Sequence, residues 1–283
     1  MDENQYYWEM VKKNIGVYSR EEQERLRNAK VIIFGLGGVG GYEVILCARM
    51  GLGHITGVDP DEFEVSNINR QMLSFVSRIG SNKAETAAEL LQDINPSINI
   101  RVTQDFVTEQ NAIDLLSNTD VIVDTTDDLV ARVIIHRAAA TLGIPSIWIA
   151  VTPPFRGGVM SLTPDSVPYE IALGYPSYQQ QLTDNVKQRI HSMKDGRALY
   201  SISQGADEQW AQNYVKKESP WAVLSPVANI VGILASFEAF KLIVRRSSLL
   251  PILSPQLIRI DLAHNEMVTV MNPQNGSWNY SEL

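Results

Sequence analysis

A single cysteine, Cys47, in 283 residues excludes an intrachain disulfide and any zinc site built from several thiolates. Positive charge is scarce as well, since 24 Lys+Arg against 32 Asp+Glu give a formal net charge of −8. A dedicated nucleic-acid binder concentrates Lys and Arg to displace counterions, so nucleic acid is not an expected partner. The first residues, Met1-Asp2-Glu3-Asn4-Gln5, are acidic and polar where a secretory signal would be basic and then apolar; a cytoplasmic location is expected. No internal repeat or low-complexity tract is found. Residues 221–237 carry no charge, yet they include Ser225, Pro226, Asn229, Gly232 and Ser236. That run sits at the short end of the roughly 17–25 residues a spanning helix needs, so it reads as a buried helix and no membrane contact is expected.

What remains is an ordinary globular composition, 45% apolar, on a chain long enough for one to two domains of about 150 residues. Residues 6–28 read as one or two polar helices, with Ser19 as an N-cap and Glu21 and Glu22 in the first turn. Val31-Ile32-Ile33-Phe34 reads as a buried strand and 55–58 as a second one. Between them a glycine-rich turn opens a helix carrying Val44, Ile45, Leu46 and Ala48, with Gly51 or Gly53 ending it. Helices are expected at 83–94, 108–117 and 129–142, the last stopped by Gly143, and strands at 98–102, 121–123 and 146–151. Alternation of this kind predicts a doubly wound, mostly parallel α/β sheet. The pattern changes after Val151. A strand is expected at 159–162, and 163–220 reads as a long polar connection of the kind that is uncommon unless functional. An apolar helix over 221–244 and strands at 257–260 and 267–270, joined near His264-Asn265, complete the chain.

The glycines fit G-x-G-x-x-G as Gly35, Gly37 and Gly40, between a strand and a helix, where bare N–H groups and a helix N-terminus favour an anion. Asp59 ends the next strand, where a carboxylate can bind ribose hydroxyls. These two features say nucleotide without saying which. Asn82 is placed to cap the 83–94 helix, with Glu85 in capping-box position. Lys83 is then a cation in the first turn, which the helix dipole disfavours. Either a bound phosphate removes that conflict or the ammonium is solvated. Thr125-Thr126-Asp127-Asp128 ends another strand and opens another helix, so any of the four could be only an N-cap. The glycine loop, Asp59 and Asp127 all fall at carboxyl ends of parallel strands, the ligand crevice of such sheets. Backbone donors, Arg70, Lys83 and two carboxylates there suit a triphosphate with Mg²⁺.

Together, Gly35-Leu36-Gly37-Gly38-Val39-Gly40, Asp59-Pro60-Asp61, Val65-Ser66-Asn67-Ile68-Asn69-Arg70-Gln71, Lys83 and Thr126-Asp127-Asp128 resemble the adenylation signature of the ubiquitin-activating-enzyme superfamily, in its bacterial ThiF/MoeB/HesA branch. The resemblance spans about 15–271, is strong in 30–150 and weak in 163–220. It implies a Rossmann-like sheet extended by C-terminal antiparallel strands after an N-terminal helical segment (1–28), with an ATP-binding half at 29–151 and a substrate-side half at 152–283 forming one integrated domain. It implies ATP held by Gly35, Gly37, Gly38, Gly40, Asp59, Asp61, Asn67, Arg70, Gln71 and Lys83, with Mg²⁺ on Asp127. Arg70, Lys83 and Asp127 would carry the chemistry. Tyr18-Ser19-Arg20 is similar to the family's N-terminal arginine motif, which makes Arg20 the candidate that reaches across a homodimer. The implied partner is the C-terminal tail of a small ubiquitin-like or sulfur-carrier protein, or of a modified peptide. The segment holding Tyr169, Tyr175, Tyr178, Gln179, Gln180, Gln181, Arg189 and Trp210 is expected to cover that tail.

Two departures qualify the resemblance. The two Cys-x-x-Cys zinc pairs of many relatives are absent, so no zinc is expected, and 150–225 holds no cysteine for thioester or persulfide chemistry. Cys47, among Ile45, Leu46 and Ala48, and His136, in an apolar helix, read as core. The helix holding Glu238-Ala239-Phe240-Lys241 reads as packing. An NAD-dependent oxidoreductase would use the same glycine loop and Asp59, leaving Arg70, Lys83 and Asp127 surplus. A non-catalytic partner subunit would have no use for Arg70 and Lys83.

Overall fold

Val31, Ile32, Ile33 and Phe34 are all buried, and a strand covered on both faces needs a continuous apolar run rather than an alternating one. They form β1 from its second residue to its last in a computed structural model that describes residues 1–283. In chain order the elements are α1 Glu3–Met10, α2 Arg20–Asn28, β1 Lys30–Phe34, α3 Gly40–Arg49, β2 His54–Val58, α4 Lys83–Ile94, β3 Asn99–Thr103, α5 Ala112–Leu116, β4 Val121–Asp124, α6 Leu129–Leu142, β5 Ser146–Thr152, β6 Arg156–Leu162, α7 Tyr169–Ala172, α8 Asp184–Ser203, α9 Glu208–Val215, α10 Ser225–Val244, β7 Leu257–Asp261 and β8 Val268–Met271. One eight-stranded sheet runs β3-β2-β1-β4-β5-β6-β7-β8. Its first five strands are parallel and β6, β7 and β8 join antiparallel. The parallel α/β architecture is therefore the one the alternation predicts, and the antiparallel C-terminal extension is the one the family resemblance implies.

Two apolar layers sandwich the sheet. Val31, Ile33, Val121 and Val123 face a core with Leu26, Val44, Leu91 and Val231, from α2, α3, α4 and α10. Ile32, Phe34 and Ile122 face the α5/α6 side, and a third cluster joins α6 to α7, α8 and Tyr280. Helix α10 is long and apolar enough to cross a membrane by length and composition, and 61% of its most apolar window is buried here against α2, α3, β4, β5 and β6. Glu238 is enclosed among Ser161 Oγ, Ile252 N and Lys241 Nζ, in keeping with a packing role for that turn. Cys47 is buried in the α3 core.

Local signals hold at most helix ends. Ser19 accepts from Glu22 N in a capping box, Asn82 accepts from Ala84 and Glu85 N, and Gly143 stops α6 at φ 69°. Met50 caps α3 and Gly51 follows at φ 87°. Several expectations need correction. Glu85 closes no capping box, because its carboxylate accepts from Gln104 Nε2 at 2.8 Å. Helix α5 is shorter than 108–117, since Asn111 and Thr108 bond each other's backbone and hold that turn outside the helix. Strand β6 starts at Arg156 rather than Val159, because Gly157 and Gly158 pair with Val151 and Ala150. Helix α10 starts at Ser225, and Trp221 Nε1 ties the preceding residues to Val151 O.

The largest correction concerns 163–220, which is mainly three helices rather than a loop. Thr183 caps α8, whose buried set is Val186, Ile190, Arg197, Ala198 and Ser201. A guanidinium and a hydroxyl occupy positions where an apolar stripe would have signalled a helix.

One buried group has no counterpart in the sequence reading. Glu43 of α3 is fully buried against α10, with both carboxyl oxygens unpartnered, and burial pushes its pKa well up. The folded state must then take up a proton above the ordinary glutamate range, so stability falls as pH rises toward the folded pKa. Glu43→Leu is expected to raise the thermal midpoint by several degrees, and by more at pH 8 than at pH 5. Equal gains at both would mean that the carboxyl is ionised in the fold.

Candidate active site

The carboxyl ends of β1, β2, β4 and β5 open into a crevice of about 1330 Å³. Its floor is the turn from β1 to α3. Gly35 adopts φ 83°, and its N–H donates to Val58 O at 2.8 Å. A Cβ on Gly40 would lie 1.9 Å from Gly35 O and 2.5 Å from Thr125 Oγ1, so only glycine lets the turn close onto β4. Gly37 and Gly38 face Gln71 and Arg70, since a Cβ on either would stand 3.5 Å from Gln71 Nε2 or 3.3 Å from Arg70 Cγ.

Asp59 supports this turn from below. Its Oδ2 accepts from Leu36 N at 2.6 Å and its Oδ1 from Asp61 N at 2.9 Å. Burial raises its pKa despite Lys83 and those two N–H groups. The residue expected at the ribose thus also anchors the glycine loop. Lys83, buried in the first turn of α4, resolves its conflict with the helix dipole through Asp61, Nζ to Oδ2 at 2.8 Å. Its ammonium is therefore neither solvated nor without a counterion.

The 65–71 segment forms the opposite lip. Asn67 Oδ1 accepts from Glu64 N, and Arg70 Nη1 donates to Ser66 O at 3.0 Å and Asn69 Oδ1 at 2.8 Å. Arg70 has no carboxylate within ion-pair distance; burial lowers its pKa and Asp127 opposes that. Gln71 is buried with Oε1 unpartnered. Across the crevice Asp128, not Asp127, caps α6, accepting from Val130 and Ala131 N at 2.7 Å. Asp127 is left exposed on the crevice wall with no ion pair. No group of three or more His, Cys, Asp or Glu side chains is arranged to hold a metal ion by itself.

Gly35, Gly37, Gly38, Asp59, Asp61, Asn67, Arg70, Gln71, Lys83 and Asp127 therefore share one crevice. Gly40 stands behind it as the first residue of α3. Arg20 lies elsewhere, at the start of α2 with its guanidinium 3.6 Å over the Trp8 ring. The residues expected to cover a tail do not line the crevice: Tyr169 and Tyr175 are buried with their hydroxyls 2.7 Å apart, and Trp210 Nε1 donates to Pro220 O.

Other residues take that wall, namely Arg132, Lys187, His191, Lys194, Arg197 and Trp221. Arg132 donates to Thr126 O and Ile149 O and stands 3.8 Å from Asp124, which also meets His136 Nε2 at 3.2 Å. His136 Nδ1 reaches Ser146 Oγ, the satisfied core role expected of it. Burial would raise the Asp124 carboxyl, but Arg132, His136 and Thr126 hold it below the ordinary range. No spacing rule marks this group; its only sequence signal is an arginine inside an otherwise apolar helix pattern.

The ThiF family profile matches residues 11–279. The probable adenylyltransferase/sulfurtransferase MoeZ of Mycobacterium tuberculosis is 36% identical over 126 residues, 44% of this chain and 32% of that protein. The sulfur carrier protein adenylyltransferase of Thermus thermophilus is 32% identical over 148 residues, 52% of this chain and 54% of that protein. The matched stretch thus spans a third to about half of these relatives' length. The crystal structure of Escherichia coli MccB with ATP superposes with a TM-score of 0.67 at 20% identity, covering 91% of this chain and 67% of that one, which is a likeness of fold. With the profile running from the residue after α1 to beyond β8 and the sheet order found here, the chain belongs to the ThiF family.

Proposed function

We propose that the chain is an ATP-dependent adenylyltransferase that activates the C-terminal carboxylate of a ubiquitin-like or sulfur-carrier protein, or of a peptide, as an acyl-adenylate. The observation that carries this reading is the gathering of Arg70, Gln71, Lys83 and Asp127 around one glycine turn. A dinucleotide needs the turn and Asp59 but has no task for the other four. The adenylyltransferase names of the Mycobacterium and Thermus relatives support the same reading.

A carboxylate oxygen of the substrate attacks the α-phosphorus, the bond from that phosphorus to the bridging oxygen breaks, and pyrophosphate leaves. Such chemistry depends on positioning and charge neutralisation more than on a protein nucleophile. Asp59 sets the loop against the nucleotide and offers its free lone pairs to the ribose. The Gln71 side-chain amide N–H and the N–H groups of Gly37 and Gly38 meet the phosphates, while Arg70 and Lys83 neutralise charge growing on the leaving group. Asp127, an exposed carboxylate on the crevice wall with no ion pair, would hold Mg²⁺ together with phosphate oxygens, and the ion would supply charge shielding for the triphosphate. With Cys47 in the core and no cysteine in 150–225, the reaction ends at the adenylate or hands it to a nucleophile on the substrate or on another protein. Arg20, remote from its own crevice, would serve a second copy's γ-phosphate in a cytoplasmic homodimer.

Thermal denaturation tests the reading. At about 100 times its dissociation constant a ligand adds about 2.7 kcal/mol of stability. Mg·ATP is expected to raise the midpoint of the wild type and NAD to leave it unmoved. Stabilisation by NAD alone would transfer the crevice to the oxidoreductase reading.

A further inference from the structure

The wall supplied by α8 carries more positive charge than a nucleotide site accounts for. Lys187, His191, Lys194 and Arg197 recur at helical spacing on one face and all line the crevice. None has a carboxylate within 4 Å: Lys194 Nζ donates to Asp127 O at 2.9 Å and lies 5.5 Å from the Trp221 ring, and Arg197 Nε donates to Tyr280 O at 3.0 Å. Arg197 is 3% exposed, and its Nη2 is buried without a partner. The acidic neighbour on the same helix, Asp195, is already taken by Lys217 at 2.6 Å. In a chain of net charge −8, three cations in one row without a carboxylate partner, Lys187, Lys194 and Arg197, with the His191 imidazole among them, call for an anionic ligand.

Arg70, in the 65–71 segment, and Lys83, in the first turn of α4, stand on the far lip, whereas α8 packs on α6 beside the mouth. From Lys187 to Arg197 the row extends about 15 Å along the helix axis, longer than a single carboxylate can span. We infer that α8 is the specificity wall for the acyl substrate, and that it selects an extended C-terminal tail bearing acidic side chains just before the activated carboxylate. This rests on the adenylation reading and names its substrate class. Arg197 holds the innermost anionic group at the base, against Tyr280, and Lys194, His191 and Lys187 take successive side chains outward.

The test uses two synthetic heptapeptides with free C-termini, identical except that two Asp/Glu residues near the end of one are Asn/Gln in the other. Binding is measured calorimetrically in low salt with a non-hydrolysable Mg·ATP analogue present. The acidic peptide is expected to bind about tenfold more tightly, with the preference weakening as salt is raised. Lys187→Glu, a half-buried position tied to no partner, is expected to abolish that preference, and Lys194→Gln to reduce it. Equal binding of both peptides by the wild type, including no binding of either, overturns the inference. So does a preference that survives in both variants. Loss of Mg·ATP stabilisation in the variants with peptide preference intact would assign the row to the triphosphate. Failure of adenylation itself shows separately, as a wild type that ATP does not stabilise.

Discussion

Arg132→Met is expected to lower the unfolding free energy by about 3–5 kcal/mol, because removing one member of a buried ion pair strands the other. Asp124 is fully buried, and the Thr126 and Ile149 carbonyls would lose their guanidinium donors in the same step. Urea denaturation at pH 7.5 measures the loss, and a change below about 1 kcal/mol would mean that the pair contributes nothing net. The pH dependence supplies a second check. Asp124 is held below the ordinary carboxylate range in the fold, so its contribution is complete above the unfolded value of about 3.9 and disappears as pH falls through the folded one. The gap between wild type and variant is therefore expected to shrink under acid. Arg132→Lys keeps the charge but not the fork on Thr126 O, and is expected to recover part of the stability only.

Lys83→Ala is expected to cut carboxylate-dependent ATP–pyrophosphate exchange by about 10²- to 10³-fold, the usual cost of removing one preorganised donor from developing charge. The unfolding midpoint is expected to stay near that of the wild type. Alanine is the better helix former, and the lost partner, Asp61, has a side chain 63% exposed and returns to water. A fall in exchange matched by a fall in midpoint would reduce Lys83 to a structural lysine. Unchanged exchange would leave the non-catalytic partner-subunit reading standing.

Features with a local signal are legible in the sequence. The parallel strands announced themselves because Val31-Ile32-Ile33-Phe34 and Val121-Ile122-Val123 are buried on both faces, and the glycine turn because steric exclusion at Gly40 admits no side chain. Asp127 and Asp128 could not be told apart by spacing, since either reaches an N-cap; only the geometry gave the cap to Asp128. Lys83 is legible as an anomalous cation in a first helical turn, but its counterion Asp61 sits across a loop that no periodicity describes. The α8 wall was least legible. Its buried face mixes Val186 and Ile190 with Arg197 and Ser201, so its stripe answers to the crevice and the C-terminal turn rather than to an apolar core. Glu43 was equally silent, a carboxyl inside an otherwise apolar helix whose burial depends on α10 arriving beside it.

The strand order also dictates a sequence of assembly on the ribosome. Strands β1 to β5 pair among themselves within the first part of the chain, and β6 folds back on β5 as a near neighbour. The outer edge of β6 then waits, because Val159 meets Ile258 only after α7, α8, α9 and α10 have been synthesised. During that interval β6 presents unpaired amide and carbonyl groups, and the apolar face that α10 will cover stays open. Such exposed edges and faces are what chaperones bind and what aggregation exploits. The vulnerable period in this protein's biogenesis thus coincides with translation of the segment that carries the α8 wall of the crevice.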